Sequence, residues 1–240
     1  MGTVFSFDIR APGVSPNLLQ AVVDWLHRMD ALFSTYRRDS EICRLDRGSL
    51  RLEDCRAEVR EVLKLCEQAG RDSGGYFSAR LPGGLDPSGM VKGWAIERAS
   101  DMLRDGGSTS HALNGGGDIQ LLGRPDPGRP WTIGIADPFR RGALAATITG
   151  TDMAIATSST AERGLHVINP NSGEPASTLA SITLVGEHLT TVDAYATAAL
   201  AMGDRARAWV TRLPGIEAFA VTAAGESWRT PNFPAGATGA

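Results

Sequence analysis

The apolar residues of this chain change period many times, and never in the strict strand–helix alternation that a parallel sheet needs. That mixture constrains the fold more than any single motif does. Residues 3–11, "TVFSFDIRA", alternate polar and apolar like a strand. Ser15-Pro16 then opens a helix, serine suiting the N-cap and proline the first helical position. Its apolar stripe is Leu19, Val22, Val23, Leu26, Met29 and Phe33, at three-to-four spacing. "FSTYRRDSEICRL" reads as a turn and a short helix capped by Ser40. A longer helix runs from about Arg56 to Asp72 and ends at Gly74-Gly75. Another runs from "LDPSGMVKGWAIERA" to about Leu103 and ends at Gly106-Gly107.

From residue 111 strand patterns take over. "HALNGGGDIQLLG" is strand, Gly-rich turn, strand. "WTIGIADP", "ALAATITG", "MAIATS" and "ASITLVG" are further strands, and "HVINPNSGEP" is a strand running into a turn. "TTVDAYATAALAMG" is a helix with Thr190 or Thr191 as N-cap and Gly203 as C-cap. A helix from about Arg205 to Leu213 and the strand "EAFAVTA" close the series. The expected class is α+β, with mixed, mainly antiparallel sheets and packed helices in a single domain over residues 1–229. Residues 230–240, rich in Pro, Gly and Ala, read as a flexible tail.

Composition narrows the partners. The net charge is −3 and no Lys/Arg run occurs, which argues against nucleic acid. No apolar run is long enough to span a bilayer, so no stable membrane insertion is expected. No charged segment followed by an apolar one precedes the first strand. The chain as given therefore reads as cytoplasmic, and as extracytoplasmic only if the native chain starts upstream. Cys43, Cys55 and Cys66 are odd in number and match no zinc spacing, as expected of free thiols in a reducing compartment.

Four stretches carry candidate chemistry. In "LDPSGMVKGWA", Asp86, Gly89 and Lys92 are three apart at a helix start. A lysine there is disfavoured by the helix dipole unless an anion such as a phosphate joins it. The alternative is an ordinary helix start with Asp86 and Ser88 as caps. In "TTVDAYATAALAMG", Asp193 and Thr197 share one helix face, with Ala196 beside them. A carboxylate and a hydroxyl so placed make half of a hard-cation site; the alternative is a dipole partner and a packing residue. His166 begins "HVINPNSGEP"; His27, His111 and His188 lie in a helix or at element ends. "NGGGDI" is not the dinucleotide-binding glycine fingerprint and opens no helix; its glycines suit close backbone approach to a ligand, or a bulge.

In this order, these stretches resemble the ApbE-like flavin transferases, which move FMN from FAD onto a Ser or Thr of a target protein. "MGT" at Met1, "FSTYRRDSEICRL", "LDPSGMVKGWA", "NGGGDI", "MAIATSS", "HVINPNSGEP" and "VDAYATAALAMG" carry the resemblance across nearly the whole chain. The family block also accounts for Met1-Gly2-Thr3, which otherwise fits a myristoylation pattern.

The resemblance implies a role for each matching residue. Asp86 and Lys92 would contact FAD, Lys92 at the pyrophosphate. Gly89 would lend its carbonyl to Mg²⁺, Asp193 and Thr197 would ligate it, and Ala196 would add a backbone oxygen or a near neighbour. Met1 and Tyr36 would line the flavin; Tyr76, Phe77 and Ser78 would pack beside it; Val167 would touch it. His166 would be the reactive histidine. The implied activity is Mg²⁺-dependent FMN transfer with release of AMP; the alternatives are an FAD pyrophosphatase and a non-catalytic flavin-binding module. The chain departs from the family pattern at Ser78, where the family carries an acidic residue, in the short "ARLPGG" segment after it, and at Asn169, where the family carries Asp.

Overall fold

The computed structural model describes residues 2–160 and 167–236. Its centre is a seven-stranded antiparallel sheet in the order β1-β4-β5-β8-β9-β10-β11. These strands are β1 (Phe5–Ile9), β4 (His111–Gly115), β5 (Asp118–Leu122), β8 (Ala154–Ser159), β9 (Leu179–Gly186), β10 (Glu217–Thr222) and β11 (Ser227–Arg229). A small hairpin of β2 (Arg80–Leu81) and β3 (Gly84–Leu85) stands apart, as does a ribbon of β6 (Trp131–Ala136) and β7 (Leu144–Gly150). The helices are α1 (Pro16–Phe33), α2 (Glu41–Asp46), α3 (Ala57–Asp72), α4 (Ser88–Asp105), α5 (Leu189–Met202) and α6 (Ala206–Val210). The class is α+β, as the sequence leads one to expect.

The alternation of side chains along the strands builds two cores. Leu113, Ala154, Ala156, Ile182 and Leu184 face α4 and α5 in the main core. Ile119, Leu121, Ile155 and Val185 face the other way, where Trp131, Ile135 and Ile148 of the ribbon cover them. On the outer side of α4, Trp94 meets Trp25 of α1 at 5.5 Å and Phe33 at 5.7 Å between ring centroids. Its indole N–H donates to Glu61 of α3 at 3.1 Å. Helix α5 is mostly apolar and largely buried, and it packs between α4 and the sheet, where such a helix must lie.

Two caps form as the sequence predicts. Ser15 accepts from the Leu18 N–H and Ser40 from the Cys43 N–H. Gly203 ends α5 at φ 59°, where an added Cβ would lie 2.9 Å from Thr178 Oγ1. The start of α5 differs from expectation. Neither Thr190 nor Thr191 is the N-cap; His188 holds that position without a side-chain cap. Gln120 of β5 accepts from the Leu189 N–H at 3.2 Å, and Glu97 of α4 accepts from the Thr190 N–H at 2.8 Å. Both donors are thus satisfied by residues distant in sequence.

Three further expectations change. "HVINPNSGEP" forms no strand over its described part: Ile168 and Pro175 make one isolated bridge, and Asn169 turns the chain by accepting from the Asn171 N–H at 2.9 Å. The helix after Gly203 is shorter than expected, Ala206–Val210. Residues 230–236, the described part of the expected tail, are docked rather than loose. Thr230 is buried and accepts from the Ala218 N–H at 2.8 Å, Phe233 completes the second core, and the Gly236 N–H donates to the Thr147 carbonyl at 2.8 Å.

His111, the first residue of β4, is fully buried between Ser100 Oγ at 2.7 Å and Ser108 Oγ at 2.9 Å. Burial, with a smaller contribution from Arg104, pushes its imidazole down to about 4. The unfolded chain therefore takes up a proton below about pH 6.5 that the native ring refuses, so stability falls as pH drops from there towards about 4, by up to about 3 kcal/mol. Urea unfolding at pH 7 and pH 4.5 should show a steeper loss in the parent than in His111→Asn. Equal losses would mean that the folded protein protonates this ring freely.

Candidate active site

Helices α4 and α5 cross in opposite directions at two glycines. A Cβ on Gly93 would stand 2.6 Å from the Leu189 carbonyl oxygen and 2.7 Å from Asp193 Cβ. One on Gly89 would stand 3.3 Å from Phe77 Cε2 and 3.6 Å from Thr197 Oγ1. Gly89 and Gly93 are four apart on α4, and so are Thr197 and Asp193 on α5, so glycine faces functional side chain twice, one turn apart. No larger residue at position 93 would permit this approach.

Asp193 is buried in that contact. Its Oδ2 accepts from the Gly93 N–H at 2.9 Å, and its Oδ1 lies 3.5 Å from Lys92 Nζ. Burial drives the Asp193 carboxyl above the ordinary carboxylate range, with Lys92 pulling the other way and Asp118 adding to the rise. Lys92 pairs directly with Asp118 as well. Burial opposes its ammonium, but Asp193 and Asp118 outweigh that and hold its pKa above the usual lysine value. The anions facing Lys92 in this structure are thus two carboxylates of the chain itself. Ser158 of β8 reaches the same place, its Oγ 3.5 Å from Thr197 Oγ1.

The other residues singled out in the sequence spread around this centre. Asp86 Oδ1 accepts from the Ser88 N–H at 2.9 Å and so serves the start of α4, whose N-cap position is Pro87; Ser88 itself does not cap. Asp86 also lines a cleft of about 530 Å³ with Thr35, Cys43, Asp46 and Ile168. Phe77 is buried against Gly89. Tyr76 is half-buried, its hydroxyl accepting from Arg205 at 3.1 Å. Ser78 closes a local turn, donating to the Arg80 carbonyl at 2.8 Å and accepting from the Arg80 N–H at 3.1 Å. Val167 packs on the main core, and Ala196 is fully buried. Tyr36 is 95% exposed and contributes nothing to the cleft wall, although its neighbour Thr35 does. Met1 and His166 lie outside the described residues.

Asp118, Ser158 and Asp46 carry no role in the sequence reading. Asp118 had a readable signal: an acidic residue leading the apolar strand "DIQLL" points to one face or the other of a covered sheet, and a buried carboxylate demands a cation. Asp46 accepts from the Leu85 N–H at 3.0 Å and anchors β3, a long-range contact that no local pattern announces.

Gly93→Ala tests the helix contact. Its methyl would meet backbone and a buried Cβ, so a loss of about 1–3 kcal/mol is expected. At this chain length that lowers the melting temperature by about 2–4 °C per kcal/mol. Gly83→Ala, with nothing within 4 Å of the added Cβ, should be near neutral. Equal melting temperatures for the two variants would contradict the close approach of α4 and α5.

Comparison with known proteins agrees with this frame. The ApbE family model matches residues 1–83 and 78–220. The FAD:protein FMN transferase of Rhodobacter capsulatus is 31% identical over 159 residues, covering 62% of this chain and 30% of that protein. Its namesake from Vibrio cholerae is 31% identical over 130 residues, covering 50% of this chain and 39% of that protein. The chain thus spans less than half the length of these two curated relatives. Among solved structures, the flavin transferase ApbE from Vibrio cholerae superposes with a TM-score of 0.84 at 21% identity, covering 97% of this chain and 95% of the other. The ApbE protein of Thermotoga maritima gives 0.82 at 19% identity, covering 96% and 97%. These structural likenesses show the fold; the sequence match across both halves of the α4–α5 site shows that the chain belongs to the ApbE family.

Proposed function

We propose that this chain transfers FMN from FAD to a Ser or Thr hydroxyl of a target protein in a Mg²⁺-dependent reaction that releases AMP. One observation carries the reading: Lys92, Asp193, Thr197 and Gly89 converge where α4 meets α5, at the end of the helix that Asp86 begins. The relatives' names supply the reaction class.

The donor set suits Mg²⁺. It offers one carboxylate, one hydroxyl and a backbone carbonyl, all hard oxygens, and leaves positions for water and substrate phosphate, as Mg²⁺ prefers. Among the described residues no group of three or more His, Cys, Asp or Glu forms a protein cage for a metal. Asp193, Thr197 and the Gly89 carbonyl would hold the ion, with Ala196 beside them. When bound, it supplies positive charge that neutralises pyrophosphate and makes AMP a better leaving group.

The chain's own residues do the rest. Lys92 turns its ammonium from the carboxylates to a phosphate oxygen and stabilises the charge that grows there. Phe77 and Tyr76 wall the flavin end, and Asp86 fixes the opening turn of α4. His166, whose placement is outside the described residues, accepts the proton of the target hydroxyl as its oxygen bonds to the FMN-side phosphorus. The bond from that phosphorus to the bridging oxygen breaks, and AMP leaves with that oxygen. Positioning and electrostatics account for most of the acceleration in such transfers.

Incubation with FAD, Mg²⁺ and a peptide carrying an Asp-x-x-Ser/Thr-Gly-Ala-Ser/Thr stretch should give a peptide heavier by FMN less one water in mass spectrometry. Free FMN and AMP with an unmodified peptide would mark a pyrophosphatase, and intact FAD a binding module. Asp193→Asn keeps an acceptor for the Gly93 N–H but removes a charge from the ion's shell. It should shift the Mg²⁺ dependence to higher concentration while the melting temperature changes little. Superimposable Mg²⁺ titrations of parent and variant would remove Asp193 from the metal site.

A further inference from the structure

Asp118 is given no part in the chemistry above, yet its carboxylate is fully buried and paired with Lys92. Strand β5 delivers it there. Ile119 and Leu121 point into the second core, so Asp118 and Gln120 point to the helices. Asp118 Oδ1 accepts from the Thr157 N–H at 3.0 Å, and Oδ2 takes the Lys92 ammonium. Asp193 Oδ1 stands 3.5 Å from the same ammonium. One half-buried ammonium therefore faces two carboxyl groups, and with both ionised the cluster carries a formal charge of minus one.

That charge governs what can approach. A phosphate reaching Lys92 meets an ammonium already neutralised inside a poorly hydrated contact, where like charges repel far more strongly than in water. A divalent cation held by Asp193 and Thr197 would change that formal sum to plus one. By engaging the Asp193 carboxylate, such a cation would leave Asp118 as the single counter-charge of Lys92. Asp118 would thus oppose a phosphate at Lys92 until a cation is in place. Its backbone contact does not need the charge, because a neutral amide oxygen accepts from the Thr157 N–H equally well.

We propose that Asp118 is a positioning counter-ion that makes phosphate binding at Lys92 conditional on a divalent cation at Asp193 and Thr197. The inference rests on the flavin-nucleotide reading and adds an order of binding to it: cation before phosphate, or the two together.

Asp118→Asn separates charge from structure. FAD binding would be followed by flavin fluorescence before turnover, with and without Mg²⁺, and with riboflavin as a ligand lacking phosphate. In the parent, Mg²⁺ should tighten FAD by about tenfold or more, a common size of coupling between two ligands. In Asp118→Asn, FAD should bind more tightly than in the parent when Mg²⁺ is absent, and the gain from Mg²⁺ should shrink to a few-fold. Riboflavin should bind both proteins alike, and Asp118→Glu should retain the parent's gain. An undiminished Mg²⁺ gain in folded Asp118→Asn overturns this inference alone. FAD that fails to bind the parent even with Mg²⁺ overturns the proposed function and this inference with it. Asp118→Ser, a second neutral variant, carries the same readout if Asp118→Asn does not fold. Loss of folding in both would make Asp118 a structural residue and overturn the inference.

Discussion

The contact between α4 and α5 is the constraint on which the rest of this molecule depends. Helix α5 has an almost wholly buried surface, and Asp193 is its one ionisable carboxylate. A carboxylate in such a place costs several kcal/mol unless it is paired and hydrogen-bonded. Gly93 meets the second need: its missing side chain lets the helices touch, and its N–H serves the carboxylate directly. Lys92, one residue earlier, supplies the charge. The residue pair that permits the packing is therefore the pair that builds the chemistry.

The sheet completes this arrangement with polar residues aimed inward. On β5 the helix-facing positions are Asp118 and Gln120, where apolar residues would ordinarily sit. Each is matched to one helix: Asp118 to Lys92 of α4, Gln120 to the first turn of α5. Glu97 of α4 serves the next donor of α5. The two helices are thus fixed to the sheet and to each other by directional bonds as well as by apolar contact. Such buried bonds are costly to break, because a partner left alone pays its full desolvation.

Much of this was legible in the sequence, and the reason is local. Ser15 and Ser40 cap helices within three residues of themselves, Gly203 adopts a conformation that glycine favours, and Asp193 and Thr197 share a face by helical geometry alone. What escaped the sequence is long-range. Thr190 looks like an N-cap by composition, yet its own N–H is claimed by a residue 93 positions away. Residues 230–236 look loose by their Pro and Gly content, yet Phe233 fills a core whose other members come from the ribbon and the sheet. Tyr36 stands in a motif but points to solvent. Asp118 follows the glycines of "NGGGDI", and its partner Lys92 lies 26 residues earlier, beyond the reach of any local pattern.

The order of strands has a consequence for the life of the chain before it is folded. β1 lies at one edge of the sheet, and its sheet neighbour is β4, with Phe5 opposite Gly115. Closing that loop of roughly a hundred residues costs about 4 kcal/mol of chain entropy beyond a constant. By contrast, β4–β5 and β10–β11 close hairpins over a few residues. β1 cannot pair until β4, about a hundred residues later in the chain, has been made. Among the described strands of the sheet, β1 is accordingly the one that joins across the greatest length of chain, and it is held on one side only, so its opening releases the sheet's longest loop.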